Sequence, residues 1–114
     1  MKCPILTIVV PCYNEEEVFN DTKKTLVQIL QDMIDENMIS RQSSILFVDD
    51  GSKDRTWSLI LAATQDVPHV TGIKLSRNFG HQKALLAGLS TAVKTADCII
   101  SIDADLQDDV SVLK

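Results

Sequence analysis

Four short apolar runs recur along the chain, and each opens into a cluster of polar residues. They are Ile5–Val10, Ile45–Val48, Val70–Leu75 and Cys98–Ile102. Most are β-branched or Leu-rich, and they are continuous rather than strictly alternating. That is the pattern of strands buried on both faces. Three stretches with helical spacing lie between them. The first places Val18, Phe19, Thr22, Leu26, Ile29, Leu30 and Met33 at three- and four-residue steps. Asn14 is its expected N-cap, with Glu15, Glu16 and Glu17 in the first turn, where the helix dipole favours negative charge. The second runs from Thr56 to Gln65, with Trp57, Ile60, Leu61 and Thr64 on one face. The third runs from His81 to Lys94, with Leu85, Gly88, Leu89 and Ala92 as its inner stripe. The segment Asp35–Ser44 is polar and reads as a surface connection.

Strands alternating with helices predict an α/β fold with a parallel sheet and right-handed crossovers. In such sheets ligands bind outside the carboxyl ends of the strands, at the switch point of the strand order. The polar clusters fall at those ends. Pro11-Cys12-Tyr13-Asn14 follows the first strand and Asp49-Asp50-Gly51-Ser52 the second. Arg77-Asn78-Phe79-Gly80 follows the third and Asp103-Ala104-Asp105 the fourth. Together they mark one rim as the place to look for chemistry.

At 114 residues the chain is at most one domain, and 45% hydrophobic content supports a real core. The net charge of −5 argues against a nucleic-acid partner, because phosphate contacts need a basic surface. Cys3, Cys12 and Cys98 are odd in number and lack metal-type spacing, so buried reduced thiols are expected. The stretch Ile5–Val10 is too short for a signal peptide and ends at Pro11. No run approaches the ~20 apolar residues of a membrane span. A membrane anchor, if the natural protein has one, is expected beyond Lys114.

Asp103 and Asp105 leave a strand end one residue apart and can turn towards one point. Two carboxylates there repel unless a cation or proton offsets them, and hard oxygens suit Mg²⁺ or Mn²⁺. Gln107 adds a neutral oxygen. The competing reading is a solvated acidic loop, and the strand placement favours the metal. Asp50 is placed to accept hydrogen bonds from a base or ribose, with Asp49 facing the other way. Its competitor is pure turn-and-cap chemistry, with Gly51 making the turn and Ser52 or Asp54 capping the next helix. Pro11 is expected to stop a central strand and leave Tyr13 at the rim to stack on a nucleobase; a plain helix start competes. Arg77, His81 and Lys83 are cations suited to neutralising phosphate, against a solvated helix entry. His81 as a general base is the weaker reading, and His69 beside Pro68 reads as loop surface. A signalling receiver domain needs its acidic pair after the first strand, and a dinucleotide-binding domain needs G-x-G-x-x-G there. This chain has Pro-Cys-Tyr-Asn instead.

With these clusters in order, the chain resembles inverting nucleotide-sugar glycosyltransferases of the GT-A fold. It is most similar to the polyprenyl-phosphate, dolichol-phosphate mannose synthase-like branch. The matching strings are Val10-Pro11-Cys12-Tyr13-Asn14-Glu15-Glu16, Val48-Asp49-Asp50-Gly51-Ser52-Lys53-Asp54, Leu75-Ser76-Arg77-Asn78-Phe79-Gly80-His81-Gln82-Lys83-Ala84 and Asp103-Ala104-Asp105-Leu106-Gln107-Asp108. The resemblance implies a Rossmann-like three-layer sandwich with a mostly parallel sheet, truncated. Residues 1–114 would be the nucleotide-sugar-binding half of a catalytic domain.

By position, the resemblance puts Pro11, Tyr13, Glu15, Val48 and Asp50 around the nucleoside, with Asp103 and Ala104 beside the nucleotide. Asp103, Asp105 and Gln107 would hold Mg²⁺ or Mn²⁺. The implied reaction moves a sugar from a nucleotide-diphosphate sugar, UDP preferred over GDP, to polyprenyl phosphate. The acceptor-side catalytic residues are expected outside the chain. Asp109 stands where these enzymes commonly have Pro, which alters the loop beyond Asp108 and leaves the metal motif intact. The implied parent protein works at the cytoplasmic side of a membrane, held by segments beyond residue 114. The isolated chain is expected to bind nucleotide and metal without turnover. A truncated sheet would expose an edge, so self-association into a homo-oligomer is also expected.

Overall fold

The computed structural model describes residues 3–104. The elements run β1 (Leu6–Cys12), α1 (Phe19–Asp35), β2 (Ser44–Asp49), α2 (Thr56–Asp66), β3 (Val70–Lys74), α3 (His81–Ala92) and β4 (Cys98–Ser101). The strands form one parallel sheet in the order β3-β2-β1-β4. In the register Ile8 lies opposite Ile45 on one side and Ile100 on the other. The order reverses at β1, so the crevice between the ends of β1 and β4 is the switch point.

Three layers follow from the alternation of side chains along the strands. Ile8, Val10, Cys12, Ile45 and Phe47 pack with Phe19, Leu26 and Leu30 of α1 and Ile60 of α2. The Phe19 and Phe47 rings meet tilted, with centroids 4.8 Å apart. On the other face Val9, Leu46 and Val48 pack under Ala84 and Ala92 of α3. The Rossmann-like sandwich expected from the sequence is the architecture found.

Several details differ from expectation. Full burial holds for β1 and nearly all of β2, while β3 and β4 are edge strands with exposed positions. The cause on the α3 face is coverage, because α3 packs chiefly on β1 and β2; Cys98, on the opposite face beside Leu6, is exposed as well. Of the three thiols, only Cys12 is buried. Pro11 does not end β1, which runs on to Cys12 opposite Asp49. The Cys12 carbonyl accepts from Asp50 N–H on the β2 side, and the Val9 carbonyl accepts from Ile102 N–H on the β4 side. Pro11 shares the side of Val9, and the pairing with β4 has already ended at Val9. The missing N–H of Pro11 therefore removes no ladder bond.

Asn14 is not the cap of α1. It sits at φ +53, and the helix starts at Phe19 after a turn in which Val18 and Phe19 donate to the Glu15 carbonyl. On α2 the buried stripe is Thr56, Ile60 and Ala63, which leaves Leu61 46% exposed. Trp57 still packs against the core. On α3 the stripe is Ala84, Gly88 and Ala92, with Leu85 and Leu89 partly buried beside it. Small residues at four-residue steps let this helix approach the sheet closely. Among the described residues no helix is long and apolar enough to cross a membrane.

Gly88 tests that close approach. A Cβ there would lie 2.4 Å from a Val9 methyl and 3.0 Å from a Val48 methyl. Overpacking of this kind costs about 1–3 kcal/mol, more than the roughly 1 kcal/mol by which Ala exceeds Gly in a helix. Gly88→Ala is therefore expected to lower the urea midpoint with an unchanged slope, despite its better helix propensity.

Candidate functional site

The parallel sheet delivers the ends of β1, β2, β3 and β4 to one rim, and the loops leaving them are joined there by hydrogen bonds. Asn14 N–H donates to Ser52 Oγ at 2.9 Å, and Asn14 Oδ1 accepts from Lys53 N–H at 2.8 Å. Glu15 N–H donates to Thr56 Oγ1 at 2.8 Å, and Glu16 N–H to Asp54 Oδ2 at 3.2 Å. Asp54 also accepts from the Thr56 N–H and hydroxyl, so it caps the start of α2 and ties it to the loop after β1. These contacts explain why Asn14 was unavailable to α1.

The loop after β3 is held from β2. Asp50 Oδ1 accepts from Phe79 N–H at 2.8 Å and Oδ2 from Gly80 N–H at 3.2 Å. The exit from β4 is held from α1, where the Thr22 hydroxyl donates to the Ala104 carbonyl. Asp49 faces the α1–α2 side of the sheet, as expected of a neighbour of Asp50. Its Oδ1 accepts from Ser52 N–H at 3.3 Å, and its buried Oδ2 has no hydrogen-bond partner among the described residues.

The loops enclose an open cleft of about 450 Å³. Of the residues expected at a site, Pro11, Tyr13, Glu15, Asp50, Asp103 and Ala104 all line it. Val48 does not. Its side chain is fully buried in the core beneath α3, so it supports the site from behind. Asp105 and Gln107 lie outside the described residues. Cys12, Asn78, Gly80 and His81 also line the cleft. His81, one of the three cations suited to neutralising phosphate, therefore stands at the cleft. Arg77 instead stacks over the Phe79 ring at 4.8 Å. The signal for Asn78 and Gly80 was present in the strand-end rule, which brings every loop after a strand to the same rim.

Electrostatics separate the cleft wall from its mouth. Burial, with Glu15 and Asp49 adding to it, pushes the Cys12 thiol far up, so it is a neutral wall group and not a nucleophile. At the mouth, His81 Nε2 lies 3.9 Å from Asp103 Oδ1, and both side chains are more than half exposed. Among the described residues no group of three His, Cys, Asp or Glu side chains comes together for a metal. The donors present, the exposed Asp103 carboxylate and the His81 imidazole, are chemically compatible with Mg²⁺ or Mn²⁺ but form only part of a shell.

The model of the family described as glycosyl transferase family 2 matches residues 7–114. The chain belongs to glycosyltransferase family 2. It is 60% identical over 111 residues to the uncharacterized glycosyltransferase YkoT of Bacillus subtilis, covering 97% of this chain and 33% of that protein. It is 42% identical over 108 residues to the prophage bactoprenol glucosyl transferase homolog of Escherichia coli, covering 95% and 33%. An undecaprenyl-phosphate 4-deoxy-4-formamido-L-arabinose transferase of Sodalis glossinidius is 34% identical over 109 residues, covering 94% and 31%. The chain thus spans about a third of the length of these relatives.

Among solved structures, the mannosyltransferase PcManGT of Pyrobaculum calidifontis, in complex with GDP-Man and Mn²⁺, superposes with a TM-score of 0.75 at 24% identity. It is matched over 92% of this chain and 28% of that one. S. aureus TarS in complex with UDP superposes at 0.67 with 20% identity, over 92% and 28%. These likenesses show the GT-A type of fold.

Asp54 gives the rim a pH signature. Partial burial acts to raise its pKa, but the hydrogen bonds from Thr56 and Glu16 outweigh that and hold it below the ordinary carboxylate value. A depressed carboxylate contributes stability above its unfolded pKa and loses it as pH falls through the folded one. Asp54→Ala is expected to lower stability at pH 7 by about 0.5–2 kcal/mol, the range for a lost helix cap. The deficit should close as pH falls below about 4, and denaturant melts across pH measure it.

Proposed function

We propose that the cleft binds the nucleoside diphosphate of a nucleotide-sugar donor together with Mg²⁺ or Mn²⁺. The observation that carries this reading is the meeting of Tyr13, Asp50 and Asp103, from three strand ends, in one cleft at the switch point. Pro11, Tyr13, Glu15 and Asp50 take the nucleoside, with Val48 behind them. Tyr13 is 37% exposed and free to stack on a base. Asp103 and Ala104 lie beside the ribose and diphosphate, and Asp103, Asp105 and Gln107 hold the metal. UDP is preferred over GDP as the nucleotide.

The full protein is then an inverting glycosyltransferase. A phosphate oxygen of polyprenyl phosphate attacks the anomeric carbon, and the nucleoside diphosphate leaves from the opposite face. The names of the bactoprenol and undecaprenyl-phosphate relatives support this acceptor. A bound divalent cation supplies Lewis-acid stabilisation of the departing diphosphate. The acceptor needs little help from a base, because a phosphate monoester with a second pKa near ~6 is largely dianionic at neutral pH. Acceptor-side residues lie outside the chain, and the full protein works at the cytoplasmic face of a membrane. Residues 1–114 are the donor-binding half, and they bind without turnover. The edge strands β3 and β4 give this half two surfaces for self-association into a homo-oligomer.

Calorimetric titration of UDP and GDP, with and without Mn²⁺, tests the reading. UDP is expected to bind more tightly than GDP. Removing the metal, or Asp105→Ala, is expected to weaken UDP about tenfold or more, equivalent to about 1.4 kcal/mol. Unchanged affinity in both cases excludes the metal role. Sugar transfer to a polyprenyl phosphate by the 114-residue chain alone would overturn the assignment of binding without turnover.

A further inference from the structure

Asp50 is 3% exposed, yet both of its oxygens are engaged by the backbone of another loop. Phe79 N–H and Gly80 N–H, its donors, immediately precede α3. Gly51 closes on the same loop. It sits at φ +68, and a Cβ there would lie 2.2 Å from the Arg77 carbonyl carbon and 2.3 Å from Asn78 N. The end of β2 therefore grips the whole turn from Arg77 to Gly80. Gly80, at φ +99, swings the chain into α3, and the next residue is His81. His81 in turn faces Asp103 at 3.9 Å, beyond the end of β4. β2 and β4 are not neighbours in the sheet, with β1 between them. A carboxylate at the end of β2 is nonetheless bonded to the backbone that leads directly into His81, on one side of the cleft mouth.

We propose that Asp50 is a positioning residue for the phosphate end of the cleft. Through Phe79 and Gly80 it holds His81 where the imidazole can donate to a diphosphate oxygen of a ligand lying beside Asp103. This rests on the donor-site reading above and adds a second task to Asp50, distinct from any contact with the nucleoside. A carboxylate offers an acceptor to each of the two N–H groups; Gly80 N–H is shared with Asn78 Oδ1 at 2.9 Å, so the bond from Phe79 N–H is the one that Asp50 alone satisfies. A carboxamide offers one acceptor and turns a donor towards the other N–H, and alanine offers none. Each carboxylate oxygen keeps a further lone pair, so the two tasks are compatible.

The test compares uridine with UDP, titrated in the presence of Mg²⁺ into the unaltered protein, Asp50→Ala, His81→Ala and the double variant. A residue that only contacts the nucleoside weakens both ligands by one factor. Asp50→Ala is expected to weaken UDP about tenfold more than it weakens uridine, the scale of a lost charge-assisted hydrogen bond. His81→Ala is expected to spare uridine and weaken UDP. The double variant should be no worse towards UDP, relative to uridine, than Asp50→Ala alone, because the two act in series.

The two histidines supply an independent readout. His69 Nδ1 bonds the Ser43 carbonyl at the amino ends of β2 and β3, away from the cleft rim. In Asp50→Ala the His81 imidazole resonances are expected to shift and those of His69 to stay. If Asp50→Ala does not fold, Asp50→Asn carries the same comparison. Equal losses for uridine and UDP, or additive losses in the double variant, overturn the proposal while leaving the donor site standing. Failure of the unaltered protein to bind UDP at all overturns the donor-site reading, and this inference falls with it.

Discussion

The parallel pairing of β1 on both of its edges governs the rest of this structure. All seven residues of β1 are buried, with helices against both faces and β2 and β4 on either side. Parallel neighbours cannot be joined by tight hairpins, so every connection returns through a crossover helix. The carboxyl ends of the strands then lie at one rim, and the loops that follow them must meet. With β1 central and the order reversing there, the cleft lies where the ends of β1, β2 and β4 meet the loop that precedes α3. The cleft is a consequence of strand order before any functional side chain is considered.

Loops that meet at a rim carry backbone N–H groups without ladder partners, and short polar side chains of neighbouring loops satisfy them. Ser52, Asp54 and Thr56 take the N–H groups of Asn14, Glu16 and Glu15, and Asp50 takes those of Phe79 and Gly80. Each such bond is modest alone, but each joins segments roughly 30–40 residues apart in sequence. The rim is therefore ordered by contacts among strand ends, and the side chains in the cleft inherit that order. The Asp-Asp-Gly-Ser string illustrates this division. Asp49 serves the turn, Asp50 serves the neighbouring loop and the cleft, and Gly51 admits the Arg77–Asn78 backbone.

The order of elements and the location of the site were legible in the sequence, because apolar runs and strand-end clusters are local patterns. Tyr13, Asp50 and Asp103 stand out in those strand-end clusters, the family resemblance adds Pro11, Glu15 and Ala104, and all six line the cleft. What was not legible depends on partners distant in sequence. Asn14 reads as an N-cap until Ser52 and Lys53 are known to engage it. Pro11 reads as a strand terminator until the point where β4 stops pairing is known. Leu61 belongs to an apolar stripe of its own helix, but the docking of α2 on the sheet buries Thr56, Ile60 and Ala63 instead. Val48 and Asp50 share one face of β2 by alternation, but Val48 lies within the strand and is buried under α3, whereas Asp50 stands just past the strand end at the rim.

The cleft itself has two mechanical halves. Its wall, from Pro11, Cys12 and Asp50, is buried and fixed by the sheet. Its mouth, from His81 and Asp103, is 61% and 64% exposed in side-chain terms and held by one long ion pair. An exposed pair of this kind contributes little to stability and is readily re-formed around other charges. Under the proposed function, a nucleoside would meet a preformed surface, whereas a diphosphate and its cation would meet groups that must be ordered as they bind. Ordering those groups opposes binding, and electrostatic pairing must offset it. The linkage from Asp50 through Gly80 to His81 matters for this reason. By bonding the backbone that leads into His81, Asp50 would leave mainly side-chain rotations to be ordered when a ligand binds.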